Sequence, residues 1–447
     1  MQIRSRQILT RVLIGLVLFI TVVLALRAIL NFTSGKRLER YLAEAKAQGI
    51  ALRVRDLIPD CPDAENGARP WKAAEALLLV EERDMLLINK TFEGFYGNQP
   101  FAEATRESLG QVAAKNRRVL DFIIEAADRP CFRYREWLNP VYVPDIPHAV
   151  SLIRALKLLA IDALLRADRG EVKAGLNECG AGMHLSLRLM DEPVLINALV
   201  AIAIRKELQI SFNQIARARD LDLDTLAAWL KDMEPNQWRA HFIRCIPGER
   251  ALGLETYLEV MKGSPEPMKD FYGSGEIRQA IGWLTRPILT SQVLRGMAQY
   301  QDLEAISKRP YFEQRDIVKK YGREHGIQAW YEQRFLALVS ETQGMFLKEA
   351  SLEAMMLATR AGLASKIYRN KTGHYPENLE ALVPDILPEV PIDPFTGRPL
   401  SYKIVNGELI IYSWGSNEKD DGGRGTYNFT RLVMEKDDDW TWREKIK

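Results

Sequence analysis

Ala149-Val-Ser-Leu-Ile-Arg-Ala-Leu-Lys-Leu-Leu-Ala-Ile-Asp-Ala-Leu-Leu-Arg-Ala-Asp-Arg169, broken by Gly170 and resumed from Glu171 to Met190, is the stretch that decides the fold. Leu152, Leu156, Leu159, Ile161 and Leu165 fall on or near one stripe at helical spacing, and Gly170 punctuates two such runs. A helical hairpin follows. Asp191-Glu-Pro193 then reads as a helix start, with Asp191 as N-cap and Pro193 in the first turn. A third helix is expected to run to about Ala218. Leu221-Asp-Leu-Asp-Thr225 opens a fourth, through Leu226, Trp229 and Leu230 to Met233.

The pattern continues on both sides. Downstream, Asn236–Lys262 reads as a helix interrupted near Pro247-Gly248, residues 263–275 as a loop, and Glu276–Arg309 and Pro310–Arg369 as helical again. Upstream, Leu38, Tyr41, Leu42 and Ala45 predict a short amphipathic helix from Gly35 to Gln48, stopped by Gly49. Ile50–Leu57 alternates apolar and basic residues as a short extended segment would. Pro59–Pro70 reads as a loop and Trp71–Ile88 as one helix. The chain is therefore expected to be mainly α, with a helical-hairpin body that is either a bundle or solenoid-like. Paired helices joined by short turns resemble tetratricopeptide solenoids in architecture, although that family's spaced Trp, Gly, Tyr and Pro signature is absent.

The N-terminus is of another kind. Residues 8–32 are apolar, and Val12–Leu26 carries no charge, so about 20 positions can span a bilayer if Arg11 and Arg27 reach its two faces. A cleaved secretory signal would want a small residue where Arg27 stands, so a retained signal anchor fits better. Arg4, Arg6 and Arg11 precede the span, while Arg27, Lys36, Arg37 and Arg40 follow it, and this count does not fix orientation. The short basic tail is read as cytoplasmic and the long body as extracytoplasmic, in a periplasm or at the cell surface. The expected partners are the lipid bilayer, through residues 8–32, and other proteins.

Sixty-one basic and 59 acidic residues nearly cancel along the 447-residue chain and are interleaved, which argues against nucleic acid as a partner. The four cysteines form no CxxC and are too scattered for a zinc site. Cys179 and Cys245 fall in helical patterns as core thiols. Cys61 and Cys131 lie in Pro-bearing loops and are able to pair in an oxidising compartment.

From Asn370 the composition turns to Pro and Gly, and strands are expected at Leu400–Val405 and Glu408–Trp414 around an Asn406-Gly407 turn. The chain thus divides into 1–34 (tail and anchor), 35–146 and 147–340 (helical body), and 341–447, a small α+β module.

Within that module, Tyr368-Arg-Asn-Lys-Thr-Gly-His-Tyr-Pro376, Leu379-Glu-Ala-Leu-Val383, Leu387-Pro-Glu-Val-Pro-Ile-Asp-Pro-Phe395, Ile411-Tyr-Ser-Trp-Gly415 and Asp420-Asp-Gly-Gly423 resemble the soluble head of the type II secretion major pseudopilin. The resemblance implies a helix ended by a Gly-x-Tyr-Pro turn, a Pro-stiffened crossing and a small antiparallel sheet packed on the helix. It also implies Ca²⁺ in the 413–428 loop, with Asn417, Asp420 and Asp421 as ligands beside loop carbonyls. Oxygen donors of this kind suit that ion. Asn428 stands about where the family would have an acid. The span and head are separated here by some three hundred residues, unlike the continuous helix of pseudopilins, so no pilus-like fibre is expected. Anchor, hairpins, head and the Asp63-Ala-Glu-Asn-Gly-Ala68 segment together resemble uncharacterised envelope proteins of Planctomycetes-type bacteria.

No catalytic residues are assigned. The chain has no His-Glu-x-x-His, Gly-x-Ser-x-Gly or phosphate-loop pattern. His148, His184, His241, His325 and His374 lie far apart in sequence. Gly248-Glu249-Arg250 places an acid and a guanidinium together, which ordinary helix electrostatics also explains. The aromatic groups Phe92, Phe95, Tyr96, Phe101 and Phe132, Tyr134, Trp137, Tyr142 suit either a groove or a core. The expectation is a non-enzymatic anchored scaffold presenting its head to a secretion or surface-assembly machine. The alternatives are an extracytoplasmic hydrolase-type enzyme whose site forms only on folding, and a structural adaptor.

Overall fold

A computed structural model describes residues 2–96, 101–134, 147–262, 276–317, 333–428, 433–438 and 440–446. It is mainly helical, with a small three-stranded antiparallel sheet. Helix α1 runs unbroken from Gln2 to Ala47. The apolar span and the amphipathic segment expected outside it are thus one helix, because neither Gly35 nor any proline interrupts it. Gly49 ends it at φ +68°, as its position suggested.

Helices α2 (Ala68–Leu77), α3 (Glu82–Tyr96), α4 (Glu103–Lys115) and α5 (Arg117–Ala127) build the first part of the body. The helix expected over 71–88 is therefore two. The side chain of Asn116 explains the break: it accepts from Leu79 N at 2.8 Å and donates to Leu79 O at 3.0 Å, satisfying the backbone that leaves α2. The segment read as extended at 50–57 instead closes as a 3-10 turn over Val54–Leu57.

The hairpin that decides the fold is α6 (Pro147–Asp168) with α7 (Val172–Arg188), and α8 (Leu195–Ala218) packs on both. Val194, not Asp191, stands at the α8 N-cap. The Leu195 N–H there is satisfied from a distance, by Glu249 Oε2 at 3.0 Å. Helix α9 (Leu223–Asp232) is capped by Asp222, which accepts from Thr225 N at 2.8 Å. Helix α10 (Pro235–Lys262) passes through Pro247 without stopping. It presses so closely on the preceding chain that a Cβ at Gly248 would overlap the Pro193 carbonyl. Helices α11 (Glu276–Ser307) and α12 (Gln333–Thr372) complete the set.

Strands β1 (Ser401–Val405) and β2 (Glu408–Ser413) form the expected hairpin, with Asn406 at φ 53° and Gly407 at φ 71°. Sequence patterning did not point to β5 (Trp440–Lys445), which pairs with β2 so that Ile411 faces Trp442. Strands β3 (Gly425–Asn428) and β4 (Val433–Asp438) make a separate two-stranded pair. Trp442 is fully buried against the backbone of α12 at Gly362. Asp393, in the Pro-Ile-Asp-Pro crossing, accepts from Ser413 Oγ at 2.8 Å and Trp414 N at 3.0 Å, tying the crossing to the end of β2.

One continuous apolar core reaches from Ala68 to Trp442 and so joins body and terminal sheet. A polar seam runs through it. Lys366 of α12 donates to Ala216 O at 2.6 Å and Arg219 O at 3.1 Å, the open carbonyls at the end of α8, and sits 2.9 Å from Glu444 of β5. Tyr375 Oη donates to the same carboxylate at 3.0 Å. Removing one member of a buried pair leaves the other charge unpaired, at a cost of about 3–5 kcal/mol. Lys366→Met is expected to destabilise the full chain by that amount in denaturant unfolding, and Lys366→Met with Glu444→Gln to recover part of it. An unchanged midpoint for the single variant would show that the seam does not hold the sheet to the body.

Candidate functional site

A groove lies between α7 and α9. Lys173, Asn177 and His184 come from α7, with Thr225, Trp229 and Asp232 from α9, around a groove of about 340 Å³. Two short helices set side by side carry these residues because α9 is capped locally and Gly180 lets the Trp229 ring lie against α7. The Trp229 ring also meets Phe212 edge-on, with centroids 4.9 Å apart, which fixes one wall.

His184 Nε2 and Asp232 Oδ1 are 2.9 Å apart. Burial pushes the Asp232 carboxyl up, but the hydrogen bond and charge of His184, with the charge of Arg205, outweigh it and hold the group below its usual value. Arg205 lies beneath, fully buried, and burial lowers its guanidinium to about 10 despite Asp232. Lys173 Nζ is 3.1 Å from Asp222 Oδ2 at the rim. An acid held low in pKa, an imidazole half open to solvent, an amide and an indole edge thus lie beside apolar Leu176 and Ala228. Thr225 and Lys173 are the lining residues that carry a hydroxyl and an amine, and Lys173 pairs with Asp222 at the rim.

Carboxylates with raised pKa do occur, in helix seams. Asp162 and Glu178 face each other between Arg117 and Arg166, with Arg117 Nη2 2.5 Å from Asp162 and Arg166 Nε 2.7 Å from Glu178. Burial first, then the charge of Asp162, pushes Glu178 up against the pull of both arginines. Burial also lifts Glu349, and its neighbour Glu353 lifts it further against Arg239, which is 3.2 Å from Glu353. Burial takes Glu207 to about 7 although Lys157 lies 3.2 Å away. Both Glu178 oxygens, Oε1 of Glu349 and Oε2 of Glu207 are shut off from solvent, so these acids stand out of a substrate's reach.

The other residues singled out from sequence are separately accounted for. Glu249 serves the α8 N-terminus, and Arg250 pairs with Glu304 at 3.0 Å. His241 Nδ1 bonds Gln237 O at 2.9 Å, and His374 Nδ1 bonds Tyr375 O at 3.0 Å. Phe92, Phe95 and Phe101 stack edge-on within or against the core, and Phe132 is buried with them. Tyr134 is half-buried, its hydroxyl donating to Glu75 at 3.0 Å. The side chains of Tyr96, Trp137, Tyr142, His148 and His325 lie outside the described residues.

In the 413–428 loop, Asn417 donates its amide nitrogen to Asp421 Oδ2 at 2.7 Å and accepts from Lys419 N at 2.8 Å. Asp420 Oδ1 takes both Tyr412 Oη at 2.8 Å and Gly422 N at 2.9 Å. Donors arranged so do not converge on one point, since a cation at Asp421 would meet an N–H₂ from Asn417. Among the described residues no three His, Cys, Asp or Glu side chains gather as a metal set. Asn417, Asp420 and Asp421 are engaged with one another, with Tyr412 and with loop N–H groups.

Cys61 and Cys131 are disulfide-bonded, their Cα atoms 5.9 Å apart. Asn66 completes the joint by donating to Arg133 O and accepting from Arg133 N, both at 2.9 Å. The Asp63–Ala68 segment is therefore a clamp onto the end of α5. Neither the His184–Asp232 pair nor the carboxylate pairs had a sequence signal, because each joins positions on helices whose relative rotation only packing decides. The cap Asp222-Leu-Asp-Thr225, which sets α9, was the one local clue to the groove.

Comparison with protein-family models, with curated proteins and with solved structures gives no match for the chain.

Two outcomes follow from these electrostatics. Glu349 has a folded pKa above its ordinary 4.5, so its contribution to stability is full below that pH and is lost as pH rises. Full-chain unfolding should show stability falling from pH 4.5 toward pH 8, with Glu349→Gln reducing the fall by more than about 1 kcal/mol. Parallel curves would mean that Glu349 is ionised at no cost. Thermal midpoints in EGTA, Ca²⁺ and matched Mg²⁺ are expected to coincide, whereas saturating Ca²⁺ on a real site would add roughly 2.7 kcal/mol at a hundredfold its Kd.

Proposed function

We propose that the chain is a non-enzymatic, single-pass membrane-anchored scaffold whose body and terminal α+β head lie outside the cytoplasm. The observation that carries this is α1 itself. Its large apolar residues from Val12 to Phe32 are mostly about half or more exposed, while Ser34 and Ala45 are 4% and 2% exposed against the body. A helix this long and apolar is able to cross a bilayer. The Cys61–Cys131 bond supports the outward placement of the body, since disulfides persist in oxidising compartments.

Docking on protein partners is the activity that suits this scaffold. The α7–α9 groove offers hydrogen-bonding groups beside an indole, and a β-hairpin packed on a long helix lies at the other end of the sequence from the anchor. A secretion or surface-assembly partner would fit both. The hydrolase reading finds no support in Glu178, Glu207 and Glu349, whose carboxyl oxygens are shut off from solvent.

The test is accessibility in intact cells. A membrane-impermeant thiol reagent should label Asn406→Cys and leave Ser5→Cys unlabelled until the cells are opened, while Cys61 and Cys131 resist alkylation until reduced. The reverse labelling pattern would overturn the assignment.

A further inference from the structure

The three-stranded sheet is closed on one side and open on the other. At its β5 edge, Arg217 of α8 donates to Arg443 O at 3.1 Å, so the body engages the outward backbone of that strand. Strand β1, at the opposite edge, is paired with β2 alone among the described residues, while β3 and β4 pair with each other. The chain just before β1 is occupied, since Leu400 N donates to Pro391 O at 3.0 Å. The open edge is therefore Ser401–Val405.

The turn fixes which groups face outward. Asn406 and Gly407, both at positive φ, make a two-residue turn, so Val405 and Glu408 are a hydrogen-bonded pair. Pairs of that kind alternate along an antiparallel ladder, and the next are Lys403 with Ile410 and Ser401 with Tyr412. Tyr402 and Ile404 lie between them, and their N–H and C=O groups point away from β2. None of these four groups has a partner outside the ladder among the described residues.

Edges are commonly blunted by a proline, a bulge or a charged side chain turned outward. Strand β1 has no proline and its register is unbroken. Its one charged residue is folded back over the sheet: Lys403 Nζ donates to Gly422 O at 3.1 Å and lies 5.0 Å from the centre of the Tyr412 ring. Ile404 and Val405, each 44% exposed, offer apolar surface on the two faces of the edge. The Lys403 ammonium has no carboxylate within ion-pair distance among the described residues. Asp420 of the adjoining loop accepts from Tyr412 Oη and Gly422 N instead.

We propose that the β1 edge is a docking site for an extended segment of a partner protein, added antiparallel as a fourth strand. In that segment an acidic residue faces Lys403, between two apolar residues that lie opposite Tyr402 and Ile404. Outward N–H and C=O groups at alternate residues recognise an extended backbone, and the side chains across from them select its sequence. This gives the protein-docking role proposed above its partner chemistry, and rests on that reading. A second copy of the chain is the wrong occupant. All four outward groups of each copy are satisfied only with Tyr402 opposite Ile404, which sets Lys403 directly opposite Lys403, a like-charge pair.

The test uses the full chain in detergent micelles, with the peptide acetyl-Thr-Val-Glu-Val-Thr-amide as probe and residue-resolved hydrogen exchange as readout. The peptide is expected to slow exchange at the Tyr402 and Ile404 amides, while Lys403 and Val405, already bonded to β2, change little. Replacing its Glu by Lys should weaken binding about fivefold or more, and Lys403→Glu should reverse that preference. N-methylation of both Val residues should abolish binding. So should Ile404→Pro, which removes an outward N–H at a position where edge strands tolerate proline. Unchanged exchange at saturating peptide, or equal affinity for the Glu and Lys peptides, overturns the proposal. Protection of Tyr402 and Ile404 that rises with chain concentration and no peptide also overturns it, in favour of pairing between copies. External labelling of Asn406→Cys in a chain that binds no peptide overturns the edge site alone. Peptide binding with Asn406→Cys labelled only from inside upholds the edge and overturns the outward placement.

Discussion

Lys366 sits where three parts of the chain meet, and its ammonium is the group on which their arrangement depends. It is 2% exposed, so its charge must be met inside the protein. Two carbonyls at the end of α8 and the carboxylate of Glu444 meet it. The α8 carbonyls gain a donor that no following residue of that helix could supply, and β5 gains a fixed point on α12. Nearby, Gln209 and Asn213 of α8 share hydrogen bonds with Thr359 of α12, and Arg217 donates to Arg443 O. Polar contacts of this kind are poor sources of net stability but strict about geometry. They set the rotation and register of α12 on the body, after which the apolar residues along it have one way to pack.

A long helix at each end follows the same logic. Helix α12 gives one side to the terminal sheet and another to α8 and α9, so the terminal sheet is held through a helix that the body also holds. Helix α1 has apolar residues from Val12 to Phe32 exposed and one face of 34–45 covered. In both, a single unbroken helix carries position between two environments. Gly35 leaves α1 intact, and the 49–57 turn after it is pinned by Glu255, which accepts from Val54 N.

Much of this was legible in the sequence where one local rule governed. Gly170 and Gly49 end helices, Asp222 caps one, and Asn406-Gly407 turns a hairpin, as the residues themselves require. Reading went astray where a distant group substituted for a local one. Asp191 looked like a cap, yet Glu249, fifty-four residues beyond Leu195, accepts the hydrogen bond from the Leu195 N–H. Trp71–Ile88 looked like one helix, yet Asn116 satisfies a break inside it. Strand β5 was missed because Trp-Thr-Trp-Arg-Glu-Lys alternates apolar and polar over only a few residues. Its pairing with β2 and the burial of Trp442 on Gly362 make it a strand.

The candidate site was the least legible part, for a reason that also bears on function. Chemistry-bearing side chains here fall into two sets with opposite surroundings. The acids lifted by burial, Glu178, Glu207 and Glu349, are clamped in seams beside arginine or lysine, where a raised pKa is what a closed environment produces whether or not anything is catalysed. The groups open to solvent, His184 with Asp232, have a lowered carboxyl pKa. Catalysis by general acid and base needs both properties in one place: a shifted proton and a path to it. In the seams of Glu178, Glu207 and Glu349 the shift comes without the path, and at His184–Asp232 the path comes with a carboxyl held low.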